Sequence, residues 1–275
     1  SPFNSKKLFI AHDGGLDRSN DTGRTWKTIT DGLTASEFYR MGQSKINREK
    51  LLGGLQDNGL NYYKDGIFYT IRGGDYGGDF LFDHLDSNYQ YFQGGGNKYN
   101  LGTFGSSGIN GVANGVYDLH RTDSNTMFMG ANALFISTNC RANPSTNVKW
   151  KQLSDSILHY GTTGTSALAS SRTGNNFIYW AKNNGVLYRV DNIKGSSPIF
   201  TTLTKPSGVV RQVSTYAKDS NVVYITIGSK IYKSENKGKT WSDITKNLPA
   251  MNIVSMEIDD RTNDSSIYLA NAFGV

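Results

Sequence analysis

Short apolar runs alternate with Gly-, Asn- and Asp-rich turns along the whole chain, and no long 3.6-residue periodicity interrupts them. The recurring unit is an apolar strand, a short Gly/Asn/Asp turn, a second apolar strand, a polar hairpin turn, a third strand carrying an aromatic, and a connector. The clearest four-stranded stretch is 36–72, with strands predicted over 38–46, 50–55, 60–64 and 67–71. Comparable units follow through position 248, the third being the hardest to read.

Aligning the recurring turn places anchors at Gly15, Gly59, Gly96, Ala133, Gly185, Lys230 and Gly274, spaced 44, 37, 37, 52, 45 and 44 residues apart. A second series keeps the same register. The tripeptides Asp86-Ser87-Asn88, Asp123-Ser124-Asn125 and Asp219-Ser220-Asn221 each precede an apolar strand, and Asp and Asn side chains cap such turns. The segments 19–33 and 234–248 share seven of fifteen positions and lie 215 residues apart, five periods of 43. A small sheet buries both faces only when neighbours stack on it. This period with all-β content therefore predicts a β-propeller of four-stranded blades. About seven repeats are visible, the first and last incomplete, which predicts a single propeller domain over 1–275, or the larger part of one. The incomplete ends suggest a segment of a longer polypeptide, or partner strands that close the ring, because open sheet edges invite pairing.

Composition agrees with many short strands and tight turns: 31 Gly against 5 Pro, 12% aromatic and only 19% charged residues. The net charge of +6 is spread along the chain and interleaved with acids, so it reads as solubility rather than nucleic-acid binding. Cys140 is the single cysteine, which rules out an internal disulfide and a Cys-based zinc site. No apolar stretch has the length of a membrane helix, and positions 1–14 lack the layout of a signal peptide. The histidines His12, His84, His120 and His159 show no metal-ligand spacing. Eight glycines between Gly94 and Gly115 match no phosphate-binding motif.

The run Ser19-x-Asp21-x-Gly23-x-Thr25-Trp26 has the form of the Asp-box, or BNR repeat, and Ser234, Asn236, Gly238, Thr240 and Trp241 form a second copy. In such a turn the carboxylate accepts backbone N–H groups, Gly supplies a positive φ and Trp packs between sheets. A degenerate third copy runs from Ser137 and Asn139 to Trp150, lengthened by 140–147. The chain resembles the Asp-box propeller superfamily, which includes sialidases, xyloglucanase-type glycoside hydrolases and sortilin-type receptors. With Phe38-Tyr39-Arg40, the run Gly53 to Gly59 and the Gly-Gly-Asp pairs ending at Asp75 and Asp79, it is most similar to exported bacterial surface proteins of the type IX secretion kind. The resemblance implies a structural role for the Asp-box residues, on the outer turn between third and fourth strands. It also implies a secreted or cell-surface location. No Phe-Arg-Ile-Pro signature of a sialidase is present; Phe38-Tyr39-Arg40-Met41 is a different motif.

In a propeller, ligands are expected on loops joining second to third strands and one blade's fourth strand to the next blade's first. The first class contains His12, Asp13, Gln56, Asp57, Asn58, Lys182 and the neighbouring Trp180, a possible stacking platform for a sugar. The second contains Arg72, Asp75, Asp79, His159 and Tyr160. Asp57, Asp75 and Asp79 are open to three readings. They anchor glycine-rich loops, bind Ca²⁺ or a ligand, or act as the paired carboxylates of a glycoside hydrolase. The expected function is recognition or scaffolding for a protein or glycan ligand, with no cofactor and with enzyme activity undecided. The alternatives are a xyloglucanase-type hydrolase and a structural segment of a large adhesin.

Overall fold

The computed structural model describes residues 4–12, 15–29, 37–74, 80–94, 97–100, 106–107, 115–142, 147–154, 164–260 and 266–271. Seven antiparallel sheets are present among them, each a meander in chain order. They fall into two compact units, one of residues 1–42 and 49–78 and one of residues 43–48 and 79–275.

In the smaller unit, β1 (Leu8–His12), β2 (Gly15–Ser19) and β3 (Lys27–Thr28) form a three-stranded sheet. A four-stranded sheet follows, with β4 (Phe38–Gln43), β5 (Leu51–Leu55), β6 (Gly59–Lys64) and β7 (Ile67–Arg72). The β6–β7 hairpin is closed by Asp65 and Gly66 alone, at φ 53° and 82°. Two left-handed residues make a tight turn whose twist matches that of the strands. Leu52 and Leu60 are wholly buried in this sheet. The first strand stops at Gln43 rather than at position 46, because the Asn47 N–H turns back onto Ser44 Oγ at 3.1 Å.

The larger unit holds five sheets: β8 (Phe80–Phe82) to β11 (Ser106–Ser107) through β9 (Gln90–Gly94) and β10 (Asn97–Asn100); β12 (Val116–Leu119), β13 (Met127–Gly130), β14 (Leu134–Ser137) and β15 (Lys151–Gln152); β16 (Thr165–Ser170), β17 (Phe177–Lys182), β18 (Leu187–Asp191) and β19 (Ile199–Thr202); β20 (Gln212–Thr215), β21 (Val223–Ile227), β22 (Lys230–Ser234) and β23 (Ser242–Asp243); and the pair β24 (Ile253–Ile258) and β25 (Ile267–Asn271). The three Asp-Ser-Asn tripeptides make the same turn. Asp86, Asp123 and Asp219 each accept the N–H two residues on with the side chain, at 2.8–3.0 Å, and the N–H three residues on with the carbonyl.

Each core of this unit is shared by consecutive sheets. Phe128, Leu134 and Ile136 pack with Leu168, Ile178 and Trp180; Tyr179 and Leu187 pack with Val213, Val223 and Ile225; Tyr224 and Ile231 pack with Met256 and Ile258. A fully buried aliphatic or aromatic side chain contributes roughly 1.5–3 kcal/mol, so neighbouring sheets stabilise one another through these clusters. The first strands also bond directly. Ser170 N–H donates to Asp118 Oδ2 at 2.5 Å, Thr215 Oγ1 donates to the Ser170 carbonyl at 2.8 Å, and the Gln212 amide makes two 2.6 Å bonds to the Met256 backbone.

All three Ser-x-Asp/Asn turns close in the same way, between β2 and β3, between β14 and β15, and between β22 and β23. Asp21 accepts the Thr25 N–H at 2.9 Å and its hydroxyl at 2.6 Å, and Asn236 Oδ1 accepts the Thr240 N–H at 2.9 Å. Asn139 Oδ1 accepts the Lys149 N–H at 2.8 Å across its longer insertion. Ser19 and Ser234 each accept the glycine N–H four residues on at 2.8 Å. Trp150 and Trp241 pack on cores shared by two sheets, whereas Trp26 departs from that expectation and stays 41% exposed.

Candidate functional site

The backbone marks an equivalent position in every sheet of the larger unit. The N–H groups of Asp83, His120, Ser171, Tyr216 and Asp259 each donate, at 2.9–3.2 Å, to a carbonyl across the turn that leads from first to second strand. The residues that follow them, His84, Arg121, Arg172, Ala217 and Asp260, therefore occupy one structural column. Lys45 matches Arg121 in spacing, two residues past the end of β4 and six before the start of β5. The column brings basic side chains together at one end of the first strands.

Arg172 donates from Nη1 to Asp260 Oδ2 at 2.8 Å and from Nη2 to Glu257 Oε1 at 2.9 Å. The sheet between them carries Ala217 at the equivalent place, a side chain too short to intervene. Burial works against the Arg172 charge, but Glu257 and Asp260 outweigh it and hold the guanidinium above its usual range. Arg121 Nη1 lies 3.4 Å from His84 Nδ1. With Nδ1 accepting, the His84 proton sits on Nε2. Burial and then the Arg121 charge push His84 down to about 3, so this imidazole is neutral at physiological pH. Lys45 is reached by solvent yet walled by protein. Desolvation, followed by repulsion from Arg121 and Arg172, brings its ammonium down to about 8. Burial also pulls Arg121 down.

A cavity of about 590 Å³ opens beside this cluster, with Lys45 and Arg48 on one wall and Arg172, Glu257, Asp260 and Tyr268 on the other. Among the described residues, Arg121 Nε, His84 Nε2 and Asp260 Oδ1 are buried polar atoms with no hydrogen-bond partner. The arrangement suits a polar, charged ligand: cationic donors face carboxylate acceptors, and half-exposed Tyr268 supplies an aromatic surface.

None of the described residues expected from sequence is in the cavity lining. His12 Nε2 is 3.2 Å from Asp17 Oδ2. Gln56, Asp57 and Asn58 form the β5–β6 turn. Asp57 is exposed at φ 55°, and Asn58 donates to the Gln56 carbonyl from its N–H at 2.6 Å and from Nδ2 at 3.0 Å. Arg72 ends β7. Asp13, Asp75, Asp79, His159 and Tyr160 lie outside the described residues. Trp180 corrects the idea of a sugar platform: it is wholly buried, stacks on Tyr188 and donates to Thr165 Oγ1 at 2.7 Å. Lys182 is buried as well, with Nζ 5.2 Å from the Trp180 ring, and burial lowers its pKa. Among the described residues no group of three His, Cys, Asp or Glu side chains is placed to hold a metal ion. No helix there is long and apolar enough to cross a membrane.

Sequence reasoning points to the loops at the other end of each second strand and passes over this polar cluster. Its signal is visible once the Asp-Ser-Asn turns are aligned: Lys45, His84, Arg121 and Arg172 stand in one column just before the turn.

Meandering four-stranded sheets that share cores with their neighbours define a β-propeller. No family model matches the chain, and no curated protein does. Among solved structures it is similar to PorZ, a bacterial surface component of the type-IX secretion system of Porphyromonas gingivalis. The match has 15% identity and a TM-score of 0.66, over 99% of this chain and 45% of that one. It is also similar to YCF48 from Cyanidioschyzon merolae, at 13% identity and TM-score 0.60 over 98% and 94% of the two chains. A GH74 xyloglucanase from Xanthomonas campestris matches at 14% identity and TM-score 0.59, over 94% and 48%. The chain thus spans under half the length of PorZ and of the xyloglucanase, and the likeness concerns the fold.

Proposed function

We propose that the chain is a recognition module of an exported, cell-surface-associated protein, holding a protein or glycan ligand without catalysis of its own. The observation that carries this reading is the 590 Å³ cavity beside a cluster of partly desolvated charges. Burying charge costs free energy, and sites where a fold accepts that cost are enriched in function. The propeller neighbours add support: PorZ is described as a surface component, and a YCF48 structure contains a bound D1 peptide. The Asp-box turns, closed on their own backbone, act in this reading as outer staples of the blades.

The reading is tested by screening the chain against arrays of glycans and peptides, and by incubating it with xyloglucan while following reducing ends. Saturable binding with no sugar release is the expected result. Sugar release that is abolished by Asp57→Asn, Asp75→Asn or Asp79→Asn replaces this reading with a hydrolase. Absence of binding to every ligand points instead to a structural segment of a large adhesin.

A further inference from the structure

We propose that the cavity walled by Lys45, Arg48, Glu257, Asp260 and Tyr268 binds an acidic sugar, with the carboxylate of a uronic-acid-type ring against Lys45 and Arg48 and the ring face over Tyr268. This names the ligand class of the recognition module and rests on that reading.

Charge is the first argument. The lining carries three cations and three carboxylates, with Arg172 paired to Glu257 and Asp260 and with Asp259 beside them, so what matters is how the charges are placed. Asp118 is engaged with the N–H groups of Leu119 and Ser170, and among the described residues the Lys45–Arg48 wall carries the lining cations that lack a carboxylate partner. Among the described residues Lys45, Arg48 and Arg121 form no ion pair with a carboxylate, and Lys45 is repelled by both Arg121 and Arg172. A carboxylate beside Lys45 offsets that repulsion.

Hydrogen-bonding capacity is the second. The walls offer cationic donors at Lys45 and Arg48 together with a carboxylate acceptor at Glu257, whose side chain is 61% exposed. A bare anion accepts only. A sugar hydroxyl both donates and accepts, so a hydroxylated ring bearing a carboxylate matches both walls.

Shape is the third. Tyr268 is 55% exposed in the lining, and an exposed aromatic face packs against the C–H face of a sugar ring. The volume lies in the usual range for a small-molecule site. An acidic peptide would want apolar side-chain pockets or an open strand edge, and this lining is dominated by charged groups around one aromatic.

The test is calorimetric titration of the intact chain with oligogalacturonates, with the matching neutral galactose oligomers and with a polyglutamate peptide. Galacturonate is expected to bind at least about tenfold more tightly than the neutral oligomer and the peptide. Lys45→Gln and Tyr268→Ala are each expected to weaken it by about tenfold while leaving the circular dichroism spectrum and melting temperature unchanged. Affinity is also expected to fall between about pH 6.5 and about pH 9.5, across the Lys45 value of about 8, while the uronate stays ionised. Equal affinity for neutral and acidic oligomers, tighter binding of polyglutamate, or indifference to both substitutions overturns the assignment. If the neutral sugar or the peptide binds, the recognition reading survives without this inference. If none of the three binds, this inference falls, and the recognition reading is decided by the glycan and peptide arrays.

Discussion

Arg172 Nη1 lies 2.8 Å from Asp260 Oδ2, a contact that passes over the sheet of β20–β23 to join the sheets on either side of it. The two residues stand 88 positions apart in the chain. They meet because each follows the same backbone turn in its own repeat and because Ala217 leaves the intervening place open.

That contact sets an order of stability effects. The Arg172 side chain is 9% exposed, Asp260 22% and Glu257 61%. Arg172→Leu strands a largely desolvated carboxylate and is expected to cost about 2 kcal/mol, below the full penalty of breaking a wholly buried pair. Glu257→Gln removes an exposed partner and is expected to cost under about 0.5 kcal/mol. Urea unfolding of the two variants checks the ranking; equal losses contradict it.

Asp83 is a second pin, 1% exposed, and Arg141 binds it from Nε at 2.9 Å and Nη2 at 2.8 Å. It also accepts the Ser124 hydroxyl at 2.9 Å and the Leu85 N–H at 2.8 Å. Asp83→Ala removes the hydrogen bonds from Arg141 Nε, Ser124, Leu85 and Asp86 and leaves Arg141 without its counter-charge, which is expected to cost about 3 kcal/mol or more in chemical denaturation.

Thr165 links Trp180 to the preceding sheet: its Oγ1 accepts from Trp180 Nε1 at 2.7 Å and donates to the Ala131 carbonyl at 2.8 Å. Thr165→Val keeps the shape and deletes both bonds, for an expected loss of about 2 kcal/mol. Ligand affinity is expected to stay at the wild-type value, which titration of the same variant measures. A loss of sugar binding would return Trp180 to the site.

Asp21 governs an acid-dependent term. The Thr25 hydroxyl, then the Thr25 N–H and then the Ser19 hydroxyl hold its carboxyl at about 2, below the ordinary 3.8. A carboxylate depressed on folding stabilises the fold above its unfolded pKa. That contribution is lost as pH falls from about 4 through about 2. Asp21→Asn, which copies the native Asn236 turn, is expected to flatten the stability profile over this window, whereas Asp21→Ala lowers stability at neutral pH as well. Melting temperature against pH distinguishes the two.

Repeat, strand order and turn chemistry were legible because they are local. An Asp-Ser-Asn tripeptide caps its own turn, and Ser19 to Trp26 closes on itself, whatever lies beyond. The buried state of Trp180 was not legible, because a strand-end tryptophan beside Lys182-Asn183-Asn184 reads alike on a surface and in a core. What decides is the neighbouring sheet, which supplies Phe128, Leu134 and Ile136 to the cluster that covers the ring. The charged cluster was hidden for a related reason. Lys45, Arg121 and Arg172 are 76 and 51 residues apart, and only stacking of the repeats converts a column in an alignment into a cluster in space.

The central claim is that recognition occurs at the first-strand end of the larger unit. The most direct measurement is backbone amide chemical-shift mapping of the chain during titration with the tightest binder from the glycan and peptide screen. Shifts are expected at residues 43–48, 172 and 257–260 and at Tyr268. Shifts confined to residues 56–58 and 72–79, with the cavity silent, would contradict it.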